Sequence, residues 1–148
     1  LNTSHYMKKK NNIDNYVKLF ESLNLENLNK FDKLLDENIY FEDPFNKVYG
    51  IENFKKIFSN TLSKLDNVEF KVLNIISENN IFIIKWEMIF FAFNKNNSIF
   101  GLSEVTISTN KKIISHVDYW DSYNNFYIKI PVIGMLFKFV LNLVRKRI

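Results

Sequence analysis

Asp43 stands between Glu42 and Pro44, directly after the strand-like run Ile39-Tyr40-Phe41. The proline ends that strand, so the acidic pair lies at the open end of a short apolar segment. A carboxylate held at the edge of an apolar cavity can have a raised pKa and act as a base. A second group of chemistry-bearing residues lies far along the chain, in His116-Val117-Asp118-Tyr119-Trp120-Asp121. His116 and Asp118 are two residues apart, so on a strand they share a face. Tyr16, on an apolar helical face, adds a hydroxyl. These types suit general acid-base chemistry in a mostly apolar pocket. Each has a plainer alternative. Asp43 can be a turn residue that caps nearby amides, Tyr16 a core tyrosine with a satisfied hydroxyl, and His116 with Asp118 a structural hydrogen-bonded pair.

The elements that must position these residues follow from hydrophobic spacing. Ile13, Tyr16, Val17, Phe20 and Leu23 fall at helical spacing over Asn12 to Leu23. Asn27 can cap a second helix carrying Leu28, Phe31, Leu34 and Leu35. A short strand over Ile39 to Phe41 is followed by a loop over Asp43 to Tyr49. Gly50 then opens a third helix with Ile51, Phe54, Ile57, Phe58 and Leu62. Beyond it the period changes to two, and Val68 to Glu78, Ile81 to Phe93, Ser98 to Thr109 and Lys112 to Tyr123 read as strands. Asn79-Asn80, Asn94 to Asn97 and Asn110-Lys111 are the turns of an antiparallel meander. The expected architecture is an α+β, cone-shaped roll, in which a curved antiparallel sheet wraps around the N-terminal helices.

The 148 residues suit one compact domain with a real core. The aromatic fraction of 16%, with fifteen Phe and seven Tyr, exceeds what a small core needs, so part of it can line a cavity. A chain without cysteine has no disulfide framework and no thiolate nucleophile. Two histidines, one of them the near-terminal His5, argue against a metal site. The net charge of +4 is mild, and both arginines lie at the far end, so nucleic-acid binding is not expected. With no signal-peptide-like apolar start, the cytoplasm is the expected location. Met7-Lys8-Lys9-Lys10 would make an ordinary start, which sets residues 1–6 apart.

From Phe126 to Val144 the chain is almost wholly apolar, broken by Lys129, Pro131, Gly134, Lys138 and Asn142. Pro131 fits the first turn of a helix running to about Arg147. Such a helix is roughly 24 Å long, short of a bilayer core, and carries Lys138 within it. A helix apolar on nearly every side must pack on its own domain, join a second subunit, cover a pocket or lie in a membrane interface.

The pattern over roughly Ile13 to Tyr123 resembles the nuclear transport factor 2-like superfamily, in its SnoaL-like and ketosteroid-isomerase-like branch. The resemblance rests on Tyr16-Val17, Phe41-Glu42-Asp43-Pro44, Gly50, and Lys112-Ile113-Ile114-Ser115-His116 continued to Asp118. It divides the chain into a domain over residues 1–125 and an apolar helical extension over 126–148, like that of an uncharacterised bacterial subgroup. By the resemblance, Asp43 is the base and Tyr16 the oxyanion donor. Ser103 stands where ketosteroid isomerases carry a protonated Asp, a weaker donor. The same alignment puts Ile114, His116, Asp118 and Trp120 on the cavity face. Asp118 with His116 then serves as proton donor or relay, and Ser103, Trp86, Met88, Trp120 and Phe41 contact the substrate. An epoxide-hydrolase-like triad is excluded, since it needs an arginine inside the cavity.

The leading expectation is therefore a cofactor-independent isomerase, cyclase or dehydratase acting on a hydrophobic carbonyl or hydroxyl compound. The alternatives are a non-catalytic binding module for a lipid-like ligand or membrane surface, and a pure interaction module. A homodimer through the outer sheet face is the expected assembly, with peripheral membrane contact through residues 126–148 as a further option.

Overall fold

The computed structural model describes residues 3–92 and 94–145, with side-chain detail from residue 12 onward except at Pro131. Helix α1, Thr3–Glu21, buries Ile13, Tyr16 and Leu19 on one face. The segment expected as a second helix is a short 3-10 helix, Leu28–Lys33. Asn27 does not cap it; its side chain bonds Asn24 N and Ser22 O instead, closing the turn after α1. Leu35, expected on that helix, already belongs to β1, Leu35–Glu42. The loop expected next contains a short strand, β2, Lys47–Tyr49, which pairs back on β1. Helix α2, Ile51–Lys64, follows. Gly50 precedes it with φ 85°, a left-handed conformation that favours glycine, and its N–H bonds Ile39 O at 2.9 Å.

The meander comprises β3, Asp66–Glu78, β4, Ile81–Ala92, β5, Lys95–Ile107, and β6, Ile113–Trp120. The expected end of β4 at Phe93 lies outside the described residues. All six strands form one curved, unclosed sheet in the order β2-β1-β6-β5-β4-β3. The α+β cone expected from the sequence is the fold observed. The sheet is mixed rather than wholly antiparallel, because β1 runs parallel to β6. That pairing needs the crossover through α2 and three strands, which local periodicity does not register. Register shifts in β3 and between Thr106 and Ile107 bend the strands, as bulges do, and help the sheet curl over the helices.

The last shift also corrects one expected orientation. Ile113 is fully buried whereas Ile114, placed inside by simple alternation, is turned out. From Ser115 onward alternation holds, so His116, Asp118 and Trp120 reach the concave face. The core beneath it joins Phe31, Phe41, Phe54 and Phe58 with Ile13, Leu35, Ile39, Val105 and Ile107.

After β6 come a short helix α3, Ser122–Asn125, a 3-10 turn, Tyr127–Lys129, and α4, Pro131–Arg145. Asp121 faces away from the cavity and accepts the Asn124 amide at 2.9 Å, capping α3. The expected end of α4 at Arg147 lies outside the described residues. Gly134 lies against Ile128, where a β-carbon would overlap the backbone carbonyl, so a glycine lets α4 fold back on the 3-10 turn.

A second glycine matters for the concave face. Gly101 pairs across the sheet with Trp86, and a methyl at Gly101 would overlap the indole ring. The ring lies over the bare backbone and directs Nε1 to Ser103 Oγ at 2.8 Å. Gly101→Ala is expected to tilt the indole and break this bond. The readout is a shifted tryptophan emission with the fold retained by far-UV circular dichroism; an unchanged spectrum would refute the close packing.

Candidate functional site

The concave face and α2 enclose a cavity of about 500 Å³. Tyr16, Val17 and Phe20 of α1 meet Ile84, Trp86, Met88 and Ile99 of the sheet across it. His116, Asp118, Trp120 and Ser103 are also in its wall, with Asp43 and Phe45 from the β1–β2 turn. Phe41, expected as a substrate contact, is not among the lining residues. It backs the wall, packed edge-on to His116 and Phe54.

One hydrogen-bonded chain organises the polar groups. Tyr16 OH lies 2.6 Å from His116 Nδ1, and His116 Nε2 lies 2.7 Å from Asp118 Oδ1. Ser103 Oγ donates to the same Asp118 oxygen at 2.5 Å and receives Trp86 Nε1–H at 2.8 Å. Donor bookkeeping fixes the directions. Tyrosine donates one proton, so a neutral His116 accepts at Nδ1 and carries its proton on Nε2 toward Asp118. The order is then Trp86 to Ser103 to Asp118 from one side, and Tyr16 to His116 to Asp118 from the other. Each donor has an acceptor, which low-dielectric burial demands.

Asp118 Oδ1 takes both arms, while Oδ2 has no partner among the described residues. Among those residues no sealed side-chain oxygen or nitrogen lacks a partner, so Oδ2 is open to the cavity. The result is a fixed carboxylate with one oxygen held and one free.

Asp43 has a different environment. Its Oδ1 accepts Phe45 N at 2.7 Å and Asn46 N at 2.6 Å, and the Asn46 amide bonds both of its oxygens at 3.0 Å. It is thus the turn carboxylate of the β1–β2 hairpin, at the cavity rim. These amides occupy both of its oxygens, so the carboxylate is engaged in holding the turn. The two acids therefore divide, with Asp118 inside and free on one side, and Asp43 at the edge and engaged.

Burial first, and the negative charge of Asp118 second, push the Tyr16 hydroxyl well above the ordinary phenol range near 10. In the unfolded chain Tyr16 ionises near pH 10, while in the fold it stays neutral, so above that pH the unfolded state binds fewer protons. This contribution to stability is complete below about pH 10 and declines as pH rises further. Denaturant melts across this range should therefore show a shallower alkaline loss in Tyr16→Phe than in the parent. Matching slopes would refute the assignment.

Sequence reasoning missed the helical wall. Ile57, Asn60, Thr61 and Lys64 line the cavity from α2, at spacings of three and four that put them on one face. That spacing was readable, but only the sheet shows which face turns inward. It also missed Asn125, Phe126 and Lys129, which come from the tail and form part of the rim. No arginine lines the cavity among the described residues.

A family model described as an uncharacterized conserved protein (DUF2358) matches residues 14–116, well over half of the chain. The chain belongs to the DUF2358 family. The match includes Tyr16, Asp43, Ser103 and His116 and stops two residues before Asp118. No curated protein matches this DUF2358 chain. Its fold is similar to that of an NTF2-like protein of unknown function from Exiguobacterium sp. 255-15. That pair has 13% identity and TM-score 0.65, covering 74% of this chain and 98% of the other. It is also similar to a protein of the SnoaL-like family from Agrobacterium tumefaciens, at 15% identity and TM-score 0.65, covering 78% and 98%. A third similar structure, at 12% identity and TM-score 0.66, covering 77% and 88%, is a hypothetical protein with a ketosteroid isomerase-like fold. It comes from Catenulispora acidiphila and is in complex with trimethylamine. At these identities the likeness establishes the NTF2-like fold and nothing about chemistry.

Proposed function

We propose that this chain is a cofactor-independent acid-base enzyme for an apolar compound bearing one carbonyl or hydroxyl group, with Asp118 as the proton-transferring group. The observation that carries this reading is the one-sided restraint of Asp118. Oδ1 is fixed by His116 and Ser103, and Oδ2 is open to a cavity with a mainly apolar wall. In the simplest cycle, a C–H bond next to the substrate carbonyl breaks and its proton goes to Oδ2. The electron pair moves onto the carbonyl oxygen. Where the substrate carries a carbon–carbon double bond at the next position, the pair returns from oxygen and that double bond shifts into conjugation. The same proton is delivered to the far carbon, which completes an isomerisation with no external reactant. His116 and Ser103 hold the carboxylate in place, and Tyr16 sets the imidazole tautomer from behind, so Tyr16 and Trp86 are positioning residues. Asp43 shapes the rim.

The test begins with native mass spectrometry of the chain with whatever apolar compound co-purifies. The extracted compound is then returned to the chain in deuterated water. Deuterium appearing at carbon supports proton abstraction; a bound compound that never exchanges carbon-bound hydrogen would refute it.

One observation favours a second reading, non-catalytic binding of a lipid-like ligand. Tyr16, His116, Ser103 and Trp86 direct their donors at one another or at Asp118, which leaves the deep wall with few donors for a reacting oxygen. In that case the ligand is held with no exchange, so the same experiment separates the two.

A further inference from the structure

Helix α4 exposes Val132, Leu136, Phe139 and Leu143, at 79%, 63%, 62% and 54% accessibility. Their spacing of four, three and four makes one continuous stripe along the helix. Gly134 and the half-buried Leu141 lie on the opposite side, with Gly134 against Ile128 of the preceding turn and Phe137 meeting Tyr123 and Tyr127. Lys138 and Arg145 flank that inner side, away from the stripe. No helix among the described residues is long and apolar enough to cross a membrane. At 15 residues α4 is about 22 Å long.

Two observations say what covers the stripe. The first is charge. From Ser122 to Ile148 the sequence holds Lys129, Lys138, Arg145, Lys146 and Arg147 and no Asp or Glu. Residues 1–121 carry fifteen basic and sixteen acidic side chains, so the net positive charge of the chain resides in its tail. A second copy would set like charges against one another, whereas an anionic surface complements them. The second is an aromatic cluster at the cavity rim, built partly from Phe126 and Tyr127 of the segment that leads into α4. Phe45 packs against Trp120, Phe126 and Tyr127 at ring separations of 5.2, 4.9 and 5.9 Å. Phe45 and Phe126 are 45% and 46% exposed, an aromatic collar at the mouth suited to the headgroup layer.

We propose that α4 docks this chain on an anionic lipid surface, with its apolar stripe in the acyl boundary, its basic side chains at headgroups and the cavity mouth toward the bilayer. An interfacial helix has this combination of apolar stripe and basic flank, and long cationic side chains reach from its sides to the headgroups. An apolar ligand would then pass between bilayer and cavity without crossing water. The proposal stands whether or not Asp118 performs chemistry.

Vesicle flotation of the full chain tests it, on phosphatidylcholine alone and on phosphatidylcholine mixed with phosphatidylglycerol. The parent should float with the anionic vesicles, less so as salt is raised. Leu136→Asp/Phe139→Asp should abolish flotation, and Lys138→Glu/Arg145→Glu should weaken it by about tenfold or more. Near-UV circular dichroism confirms that each variant folds. In a Trp86→Phe background, brominated lipid should quench Trp120 at the mouth. The proposal is overturned by a parent that does not float, by equal binding to neutral vesicles, by a stripe variant that binds normally, or by an unquenched Trp120. A parent dimer that the stripe variant dissociates, with no vesicle binding, overturns it in favour of a second copy.

Discussion

Asp118→Asn is expected to leave the co-purifying compound bound while its carbon-bound hydrogen stops exchanging with solvent. Asparagine keeps the shape, and its carbonyl oxygen can still receive Ser103 and His116. What it lacks is a group that can hold a proton between two carbons. Loss of a positioned general base lowers such rates by about 10²- to 10⁴-fold. The comparison with Asp43→Asn makes the result specific. There the asparagine oxygen can still accept Phe45 N and Asn46 N, so the turn persists and exchange should proceed near the parent rate. Exchange lost in Asp43→Asn and retained in Asp118→Asn would reverse the assignment and return the base role to the rim.

The second large effect is on stability. His116→Leu keeps most of the volume but removes both ring nitrogens, leaving the Tyr16 hydroxyl without an acceptor in a site where tyrosine is only 1% exposed. A buried hydroxyl stranded in this way costs about 1–3 kcal/mol, and Asp118 also loses one of its two donors. The expected loss is about 2–4 kcal/mol in urea titrations. Adding Tyr16→Phe should restore part of it, since two apolar side chains in mutual contact leave no unmet hydrogen bond between them. A cycle of the parent, both single variants and the double variant should give a coupling of about 1–3 kcal/mol. Independent, additive effects would mean that Tyr16 and His116 do not form the bond observed.

These two experiments address different properties of one network. Asp118 is reached from the cavity, so its replacement should show in chemistry. Tyr16 and His116 are almost wholly buried in the cavity wall, so theirs should show first in folding. The division follows from burial, since the same hydrogen-bonded chain runs from a buried interior to an open oxygen.

The sequence by itself determined the α+β cone, the helices α1 and α2, the four meander strands and an apolar helix after Pro131. Those features are written locally, in periods of 3.6 and 2 and in Asn, Gly and Pro punctuation. It also brought Tyr16, Asp43, His116, Asp118, Ser103, Trp86, Met88 and Trp120 to one cavity, because strand alternation and the resemblance agreed. What local pattern could not carry was any feature that depends on a distant partner. Leu35 left its helix because β1 pairs with β6, a neighbour nearly eighty residues away. Ile114 turned outward because a register shift in β5–β6 broke the alternation. Phe41 withdrew behind the wall because His116 and Phe54 pack against it. The surroundings of the two acids were decided last, by tertiary structure alone. Asp43 is held by amides of its own turn, whereas Asp118 receives donors from other strands on one oxygen and faces open space with the other. A carboxylate's reactivity is set by what surrounds it, and those surroundings come together only when the sheet curls.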